Sequence, residues 1–417
     1  MEKKPAIRFE GYTKDWEQSK FNAMFDFLQN NTLSRAELSC TDGEIMNVHY
    51  GDVLVKYGEV LDIKNDEMTY LLDNSLVTKY QTSLLQNGDV IIADAAEDET
   101  VGKCSEIAGL TDEKVLSGLH TIPCRPKKKF AEGFLGYYMN SNAYHDQLLP
   151  LIQGTKISSI SKSAIQDTSI MYPELESEQK QIGDYFSNLD HLITLHQSNH
   201  EKMVATKKSM LDKLFPRGDA QVPAIRFEGF VKDWEKKPLG AIVIPYSDPV
   251  EVPHDGYERL GIRSHGKGVF HEYVESGKEI TTAQLHRVAA HNFIVNITFA
   301  WEHAVAVTCD RDAGKLVSHR FPQFSMADGI HDQFLKYLIL DARFRHHLLL
   351  SSPGGAGRNR VLKIPEMLEY EMMIPDIEEQ KQIAGYLNSL DELIDLYRIR
   401  IEKLKNIKAA CMQGMFV

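Results

Sequence analysis

Two stretches of this chain carry the same apolar stripe. Ile182, Phe186, Leu189, Ile193, His196, His200, Met203, Lys207, Met210 and Leu214 alternate by four and three. Ile383, Leu387, Leu390, Ile394, Tyr397, Ile401, Leu404, Lys408, Cys411 and Met415 do the same. A 3.5-residue period held over this length predicts a helix that keeps one face against a partner helix, the seam of a coiled coil. Each helix runs for roughly 38 residues, or about 57 Å at 1.5 Å per residue. Each is the obvious partner of the other, and antiparallel pairing is expected. The polar seam members His196, His200, Lys207 and Lys408 are expected to set register at some cost in stability. Asp376 and Glu379 have capping-box spacing at the start of the second helix, and Pro216 with Gly218 stops the first.

Between the stripes the period changes to that of short strands and turns. YGDVLVKYGEV (Tyr50 to Val60) and NGDVIIADAAEDETVGK (Asn87 to Lys103) each begin with a Gly-Asp turn and continue as a predicted strand. VNITFAWEHAVAV (Val295 to Val307) reads as strand–turn–strand. EGFLGYYMNSNAYHDQLLP (Glu132 to Pro150) and HDQFLKYLILDARFRHHLLL (His331 to Leu350) each read as an amphipathic helix at matching places. GTKISSISKSAI (Gly154 to Ile165) and SSPGGAGRNRVLKI (Ser351 to Ile364) follow them in turn.

The chain repeats itself. PAIRFEGYTKDWE, Pro5 to Glu17, returns as PAIRFEGFVKDWE, Pro223 to Glu235. EQKQIGDYFSNLDHLI, Glu178 to Ile193, returns as EQKQIAGYLNSLDELI, Glu379 to Ile394. The unit is therefore head, variable body and helical tail, occurring twice. It divides the chain into head and body 1–172, helix 173–216, head and body 217–373 and helix 374–417. Heads lie 218 residues apart and tails 201, so the second body is about 17 residues shorter. The second tail ends where a third head would be due, and the amino-terminal head is expected to fill that place in a pseudo-twofold arrangement. Solenoid repeats, which recur every 20–50 residues, do not fit this period.

Composition adds limits. A chain of 417 residues with 43% hydrophobic and 25% charged positions is long enough for two globular domains. No apolar run approaches the ~20 residues that span a bilayer, and the first residues lack a signal-peptide core. The five cysteines, Cys40, Cys104, Cys124, Cys309 and Cys411, are scattered without a CxxC pair, as in reduced cytosolic proteins. A cytoplasmic location is the expectation. The net charge of -12 argues against a stand-alone DNA binder. It leaves open a local basic face in a complex whose other subunits supply positive surface.

The candidate chemistry is recognition. Lys127 and Lys128 belong to the densest basic run, with Lys129 beside them, and Lys156 and Lys162 flank the later loop. GIRSHGKGVF carries Arg263, His265 and Lys267 between glycines, SHRF carries Arg320, and SSPGGAGRNRVLKI carries Arg358, Asn359 and Arg360. Gly-spaced basic and amide side chains suit loops that approach a phosphate backbone or a base edge; the alternative is an ordinary polar loop. Ten of the sixteen histidines lie in the second body, yet there is no HExxH, HxH or zinc-spaced cysteine pair, so no metal site is expected. GGAGRNR lacks the Lys-Ser/Thr of a P-loop, and neither a GxSxG elbow nor an amino-methyltransferase N/D-P-P-Y/F tetrapeptide is present. No catalytic residue is expected.

Paired heads of the form P-x-x-R-F-x-G-x-x-x-x-W, two divergent bodies and two helices opening on EQKQI resemble the specificity (S) subunit of type I restriction–modification enzymes. The resemblance covers essentially the whole chain. It implies an α+β fold of two globular α/β target-recognition domains and two long antiparallel coiled-coil helices, with an internal pseudo-twofold repeat. It further implies that each body reads one half of a split, asymmetric sequence in double-stranded DNA while the helices set the spacer. Two modification subunits would bring S-adenosylmethionine-dependent adenine methylation, and two restriction subunits would bring ATP- and Mg-dependent translocation and cleavage. The chain itself would hold no cofactor. For partner docking the matching helix starts offer Gln179, Ile182, Gln380 and Ile383. Two other classes compete: a metal-dependent nuclease or hydrolase built on the second body's histidines, and a bivalent protein scaffold without DNA.

Overall fold

The computed structural model describes residues 3–154, 156–218, 220–279, 284–354 and 360–417. They form two compact units, Met1–Ser198 with Arg398–Val417, and Asn199–Tyr397. The two stripes fold as the helices Glu176–Lys213 and Ile377–Gly414, each giving its first part to one unit and its last part to the other. The compact units therefore cut across the linear division into bodies and tails.

In the first unit the head is joined to the end of its own body. Strand Glu17–Lys20 pairs antiparallel with Ser169–Tyr172, the last strand before the long helix. The head's arginine then reaches the helix itself. Arg8 donates Nε to Glu178 Oε1 at 2.7 Å and Nη2 to Oε2 at 2.9 Å, and the Trp16 indole N–H adds a bond of 3.2 Å. Glu178 is buried in the first turn, where a carboxylate is also favoured by the helix dipole.

The second unit repeats the strand pairing and the arginine, but not the indole bond: Trp234 Nε1 is buried without a partner among the described residues. Strand Glu235–Pro238 pairs with Glu371–Ile374, and Arg226 grips buried Glu379 with two bonds of 2.7 Å. Glu379 therefore does not serve the capping box that its spacing from Asp376 suggested. A guanidinium outcompetes a single backbone N–H for the carboxylate, because the bidentate charge-assisted pair is the stronger interaction.

The far ends of the helices are received by the heads as well. In the first unit Ile7 N–H donates to Gly414 C=O at 2.8 Å, and Phe416 packs against Trp16, Phe134, Tyr138 and Phe186. In the second unit Ile225 N–H donates to Lys213 C=O at 3.0 Å, and Phe215 meets Trp234 and Phe334. The amino-terminal head thus takes the end of the second helix, as the repeat requires.

Within each unit the two helix segments run antiparallel, and the seam lysines explain their register. Lys408 bonds both oxygens of Asp190 at 2.7 and 2.8 Å and both oxygens of Glu59 at 2.9 Å, while Tyr137 O–H donates to Asp190 at 2.8 Å. In the second unit Lys207 pairs with Asp391, which also accepts from Tyr337 O–H at 2.7 Å. Burial opposes ionisation of Asp391, but the bonds from Lys207 and Tyr337 hold its pKa below the ordinary value. A one-turn slip would leave these half-buried charges unpaired, and that penalty specifies the register.

Each body contains at least one mixed sheet. In the first, a five-stranded sheet has the order Phe25–Phe27, Thr121–Pro126, Val90–Ala93, Cys104–Ala108, Val60–Asp62. In the second, Val243–Tyr246, Gln323–Met326, Phe293–Val295 and Val305–Val307 form the corresponding sheet, and a five-stranded sheet beside it ends in the hairpin Tyr257–Ile262 and Val269–Val274.

Four local expectations need correction. The first strand read from Val295 onward lies instead at Phe293–Val295, and residues 297–299 turn into the short helical turn Ala300–Glu302. Tyr50–Val55 is helical, with His49 Nδ1 accepting from Gly51 N–H at 3.2 Å and Arg35 holding buried Asp52; the valine pattern there marks one helical face, since Val53 is buried and Val55 is 88% exposed. The two amphipathic helices are each broken in two, Phe134–Asn140 with Asn142–His145, and Asp332–Leu338 with Ala342–Leu350. Asp341 caps the last of these through Arg343 N–H, and Ser141 is extended at the other break.

Arg8→Ala would leave Glu178 buried without its cation, which typically costs about 3–5 kcal/mol. Chemical unfolding of this variant should show a loss of that size, and Arg226→Ala should match it in the second unit. A loss below about 1 kcal/mol, as for an exposed pair, would mean that the arginine does not hold the head to the helix.

Candidate nucleic-acid interface

One pair of backbone hydrogen bonds recurs in both bodies and gathers three loops. In the second body Ile297 N–H donates to Arg320 C=O at 3.0 Å, and Leu362 N–H donates to Ile297 C=O at 2.8 Å. In the first body Asp94 N–H donates to His120 C=O at 3.1 Å, and Ile160 N–H donates to Asp94 C=O at 2.9 Å. The loop after a central strand, the loop entering its neighbour and the loop before a short helix therefore meet at one place in each unit.

In the second unit a fourth element joins them, the turn of the hairpin. His265 N–H donates to Glu302 C=O at 2.7 Å, Gly266 N–H to His303 C=O at 2.9 Å, and Ser264 Oγ to Glu302 Oε2 at 2.6 Å. His265 and Gly266 are both left-handed, with φ of 63° and 64°, which makes the turn tight. Buried His303 anchors the floor through Nε2 to Ile339 C=O at 2.8 Å, and burial depresses its pKa, with Arg345 and His265 adding to the effect. The carbonyl can only accept, so Nε2 carries the proton.

This convergence collects cations that have no counter-charge. Arg263, Lys267, Arg320, Arg345 and Arg360 form no ion pair among the described residues, and His265 stands exposed beside them. On the adjoining strands the pattern is opposite: Arg259 pairs with Glu272 at 2.5 Å and Lys315 with Glu258 at 2.7 Å. In a chain of net charge -12, a face of unpaired cations is the place where an anion would be held. The sequence does not single out Arg345, because its helical segment reads as core; its neighbour Phe344 is buried and Arg345 is exposed. Arg358 and Asn359 lie outside the described residues.

The first unit divides its candidates. Lys156 is exposed, and Lys162 donates to Leu28 C=O at 3.2 Å with Phe27 beneath it; both flank the converging loops. His120 belongs with them although sequence gave no sign of it. Its backbone is left-handed (φ 54°) and its Nδ1 lies 3.2 Å from Asp94 Oδ1. Lys127 and Lys128 sit at the other end of strand Thr121–Pro126, roughly 20 Å away at 3.3 Å per residue. There Lys127 bonds Asn22 C=O at 3.0 Å and pairs with Asp26, Lys128 lies 3.6 Å from the Tyr172 ring centroid, and Lys129 pairs with Glu176. Burial lowers the pKa of Lys128. The structure does not bring this basic run together with Lys156 and Lys162.

The helix-start residues expected to meet partners face inward. Gln179 accepts from Ala131 N–H at 3.0 Å and donates to Pro173 C=O at 2.8 Å; Gln380 accepts from His331 N–H at 2.9 Å and donates to Gly329 and Pro375 C=O at 3.0 and 2.8 Å. Ile182 and Ile383 are buried in the cores of their units. Amides that bond backbone groups of the body from a buried position are struts between helix and body. The same helices expose a repeated pair of leucines, Leu192 with Leu195 (40% and 45%) and Leu393 with Leu396 (40% and 41%).

The second body's histidines do not assemble. His271 bonds Asp312, His291 lies between Asp310 and Asp332, and His347 bonds the Glu366 carbonyl. Among the described residues no three His, Cys, Asp or Glu side chains are grouped to hold a metal ion, and no helix is long and apolar enough to cross a membrane.

Gln380→Ala would strand one buried N–H and two carbonyls, a cost of about 1–3 kcal/mol for an unsatisfied buried group. The isolated chain should lose stability by that order in urea unfolding. Unchanged stability with lost partner binding would return the side chain to a docking role.

The family model of the type I restriction modification DNA specificity domain matches residues 13–204 and 273–406. A putative type I restriction enzyme MjaX specificity subunit from Methanocaldococcus jannaschii is 22% identical over 424 aligned residues, covering 96% of this chain and 92% of the relative. The type I restriction enzyme MjaVIII specificity subunit of the same organism is 26% identical over 277 residues, covering 62% of this chain and 64% of the relative. Among solved structures, the S subunit of a type I restriction–modification system from M. genitalium has a similar fold, with a TM-score of 0.60, 12% identity and 99% coverage of each chain.

Proposed function

The chain belongs to the type I restriction–modification DNA specificity family, and from that membership we propose that it chooses the DNA site for a methyltransferase and endonuclease complex. It catalyses neither reaction. Each body reads one half of a split, asymmetric duplex sequence with its converging loops, and the long helices fix the unspecified spacer. The observation that carries this reading is the gathering of unpaired cations on the loop face of the second unit, in a chain of net charge -12. Phosphate contacts from Lys and Arg would position the duplex, and side chains at the loop tips would discriminate bases.

Two modification subunits dock on the helices, at surfaces that repeat. Leu192 and Leu195 recur as Leu393 and Leu396, and the exposed Lys180-Gln181 recurs as Lys381-Gln382. Identical surfaces suit two copies of one partner, whereas different loop faces suit two different half-sites. S-adenosylmethionine, ATP and Mg serve the modification and restriction subunits and are not held by this chain.

Replacing Leu239–Met373 with the body of a relative should change one half of the methylated sequence and preserve the other. Mapping methylated adenines across the host genome reads this directly. A wholly new specificity, or no change at all, would refute modular reading. Leu192→Glu with Leu195→Glu should reduce bound modification subunits from two to one in native mass measurements, and an intact complex would exclude the leucine pair as the docking surface.

A further inference from the structure

Two of the unpaired arginines differ from the others in how they are held. The Arg263 guanidinium carbon lies 5.2 Å from the ring centroid of Phe270, and that of Arg360 lies 5.6 Å from Trp301. Among the described residues Arg320 and Arg345 have no such platform. A guanidinium laid on a ring keeps its edge of N–H donors free while its orientation is restricted, which lowers the entropy lost when it grips a flat acceptor pair. A phosphate makes a smaller demand, since it can be met from many directions by a mobile cation.

Both platforms belong to the same convergence. Trp301 sits in the short helical turn Ala300–Glu302, whose residue Glu302 receives His265 N–H and Ser264 Oγ from the turn that carries Arg263. Phe270 lies across Gly261, where an added Cβ would come within 2.3 Å of the ring, so the ring closes over bare backbone. Arg263 is tethered further by one bond from Nη1 to Val269 C=O, leaving Nε and Nη2 for an outside partner. In the major groove the flat, closely spaced acceptor pair that suits such a fork is O6 and N7 of guanine.

We propose that Arg263 and Arg360 are the specificity-determining residues of the second unit, each reading one guanine, while Lys267, Arg320 and Arg345 contact phosphates. The proposal rests on the site-selecting role argued above and adds the bases and the residues that choose them. It requires at least two guanines, on either strand, in the half-site read by the second body.

The test is selection from a randomised duplex library by the chain assembled with its modification subunits, with equilibrium binding at several salt concentrations. For Arg263→Gln or Arg360→Gln, the preference for guanine at one position, expected at roughly five- to 150-fold, should fall to near unity, with the first half-site untouched. Arg263→Lys keeps the charge without the fork and should relax the same position while leaving the salt slope unchanged. Arg320→Gln should weaken all sequences alike and reduce the slope by about 0.9. A half-site with fewer than two guanines overturns the proposal, as does a uniform loss for Arg263→Gln and Arg360→Gln. A native complex without any sequence preference would remove the site-selecting role itself, a distinct outcome. Thermal melting of each variant alongside the native chain identifies misfolding, and Arg263→Lys decides the case if the glutamine variants fail to fold.

Discussion

Much of this structure depends on a carboxylate buried at the start of each long helix. Glu178 and Glu379 could not remain ionised there alone, because an unpaired buried charge is strongly unfavourable. The arginine that neutralises each comes from the head, about 150 to 170 residues earlier in the chain. One bidentate pair thus ties three things together: the head strand, the last strand of the body and the first turn of the helix. This is why heads and tails repeat while the bodies between them differ. Arg8 and Glu178 can change only together, and the same holds for Arg226 and Glu379.

The second constraint is the charge placed in an otherwise apolar seam. Lys408 is shared by Asp190 on the facing helix and Glu59 on the body, and Asp190 is shared in turn with Tyr137 of the body. Lys207, Asp391 and Tyr337 reproduce the central part of this arrangement. A wholly apolar seam could slide by a heptad at small cost. Here a slide would break bonds to the body as well as between helices, so helix register and body orientation are fixed by the same side chains.

The long period of the helices, the doubled heads and the strands Val90–Ala93 and Val305–Val307 are legible in sequence because each rests on local pattern. The failures arose where a distant partner decided. Tyr50–Val55 is helical because Arg35 meets Asp52 and His49 caps the turn, contacts that alternation cannot reveal. Lys128 reads as a free cation in the sequence, whereas in the fold it lies over the Tyr172 ring. Gln179 and Gln380 looked like a repeated surface signature, but an inward strut repeats as faithfully as an outward contact. Arg345 and His120 were invisible for the opposite reason. Their significance comes only from the loops that tertiary hydrogen bonds bring beside them.

Those hydrogen bonds also explain how the faces could differ. The pairs that join Asp94 to His120 and Ile160, and Ile297 to Arg320 and Leu362, are made by backbone atoms alone. The framework therefore places no demand on side-chain identity, and His120 can stand where Arg320 stands, or Ser158 where Arg360 does. Exposed substitutions of this kind ordinarily change stability by less than about 0.5 kcal/mol. A base contact at the same position is worth about 1–3 kcal/mol of discrimination. Selection on recognition can therefore act at these loop positions almost without opposition from folding, whereas at Arg8, Glu178, Asp190 and Lys408 folding dominates. The division between repeated and divergent segments along the chain is the trace of that difference in energy.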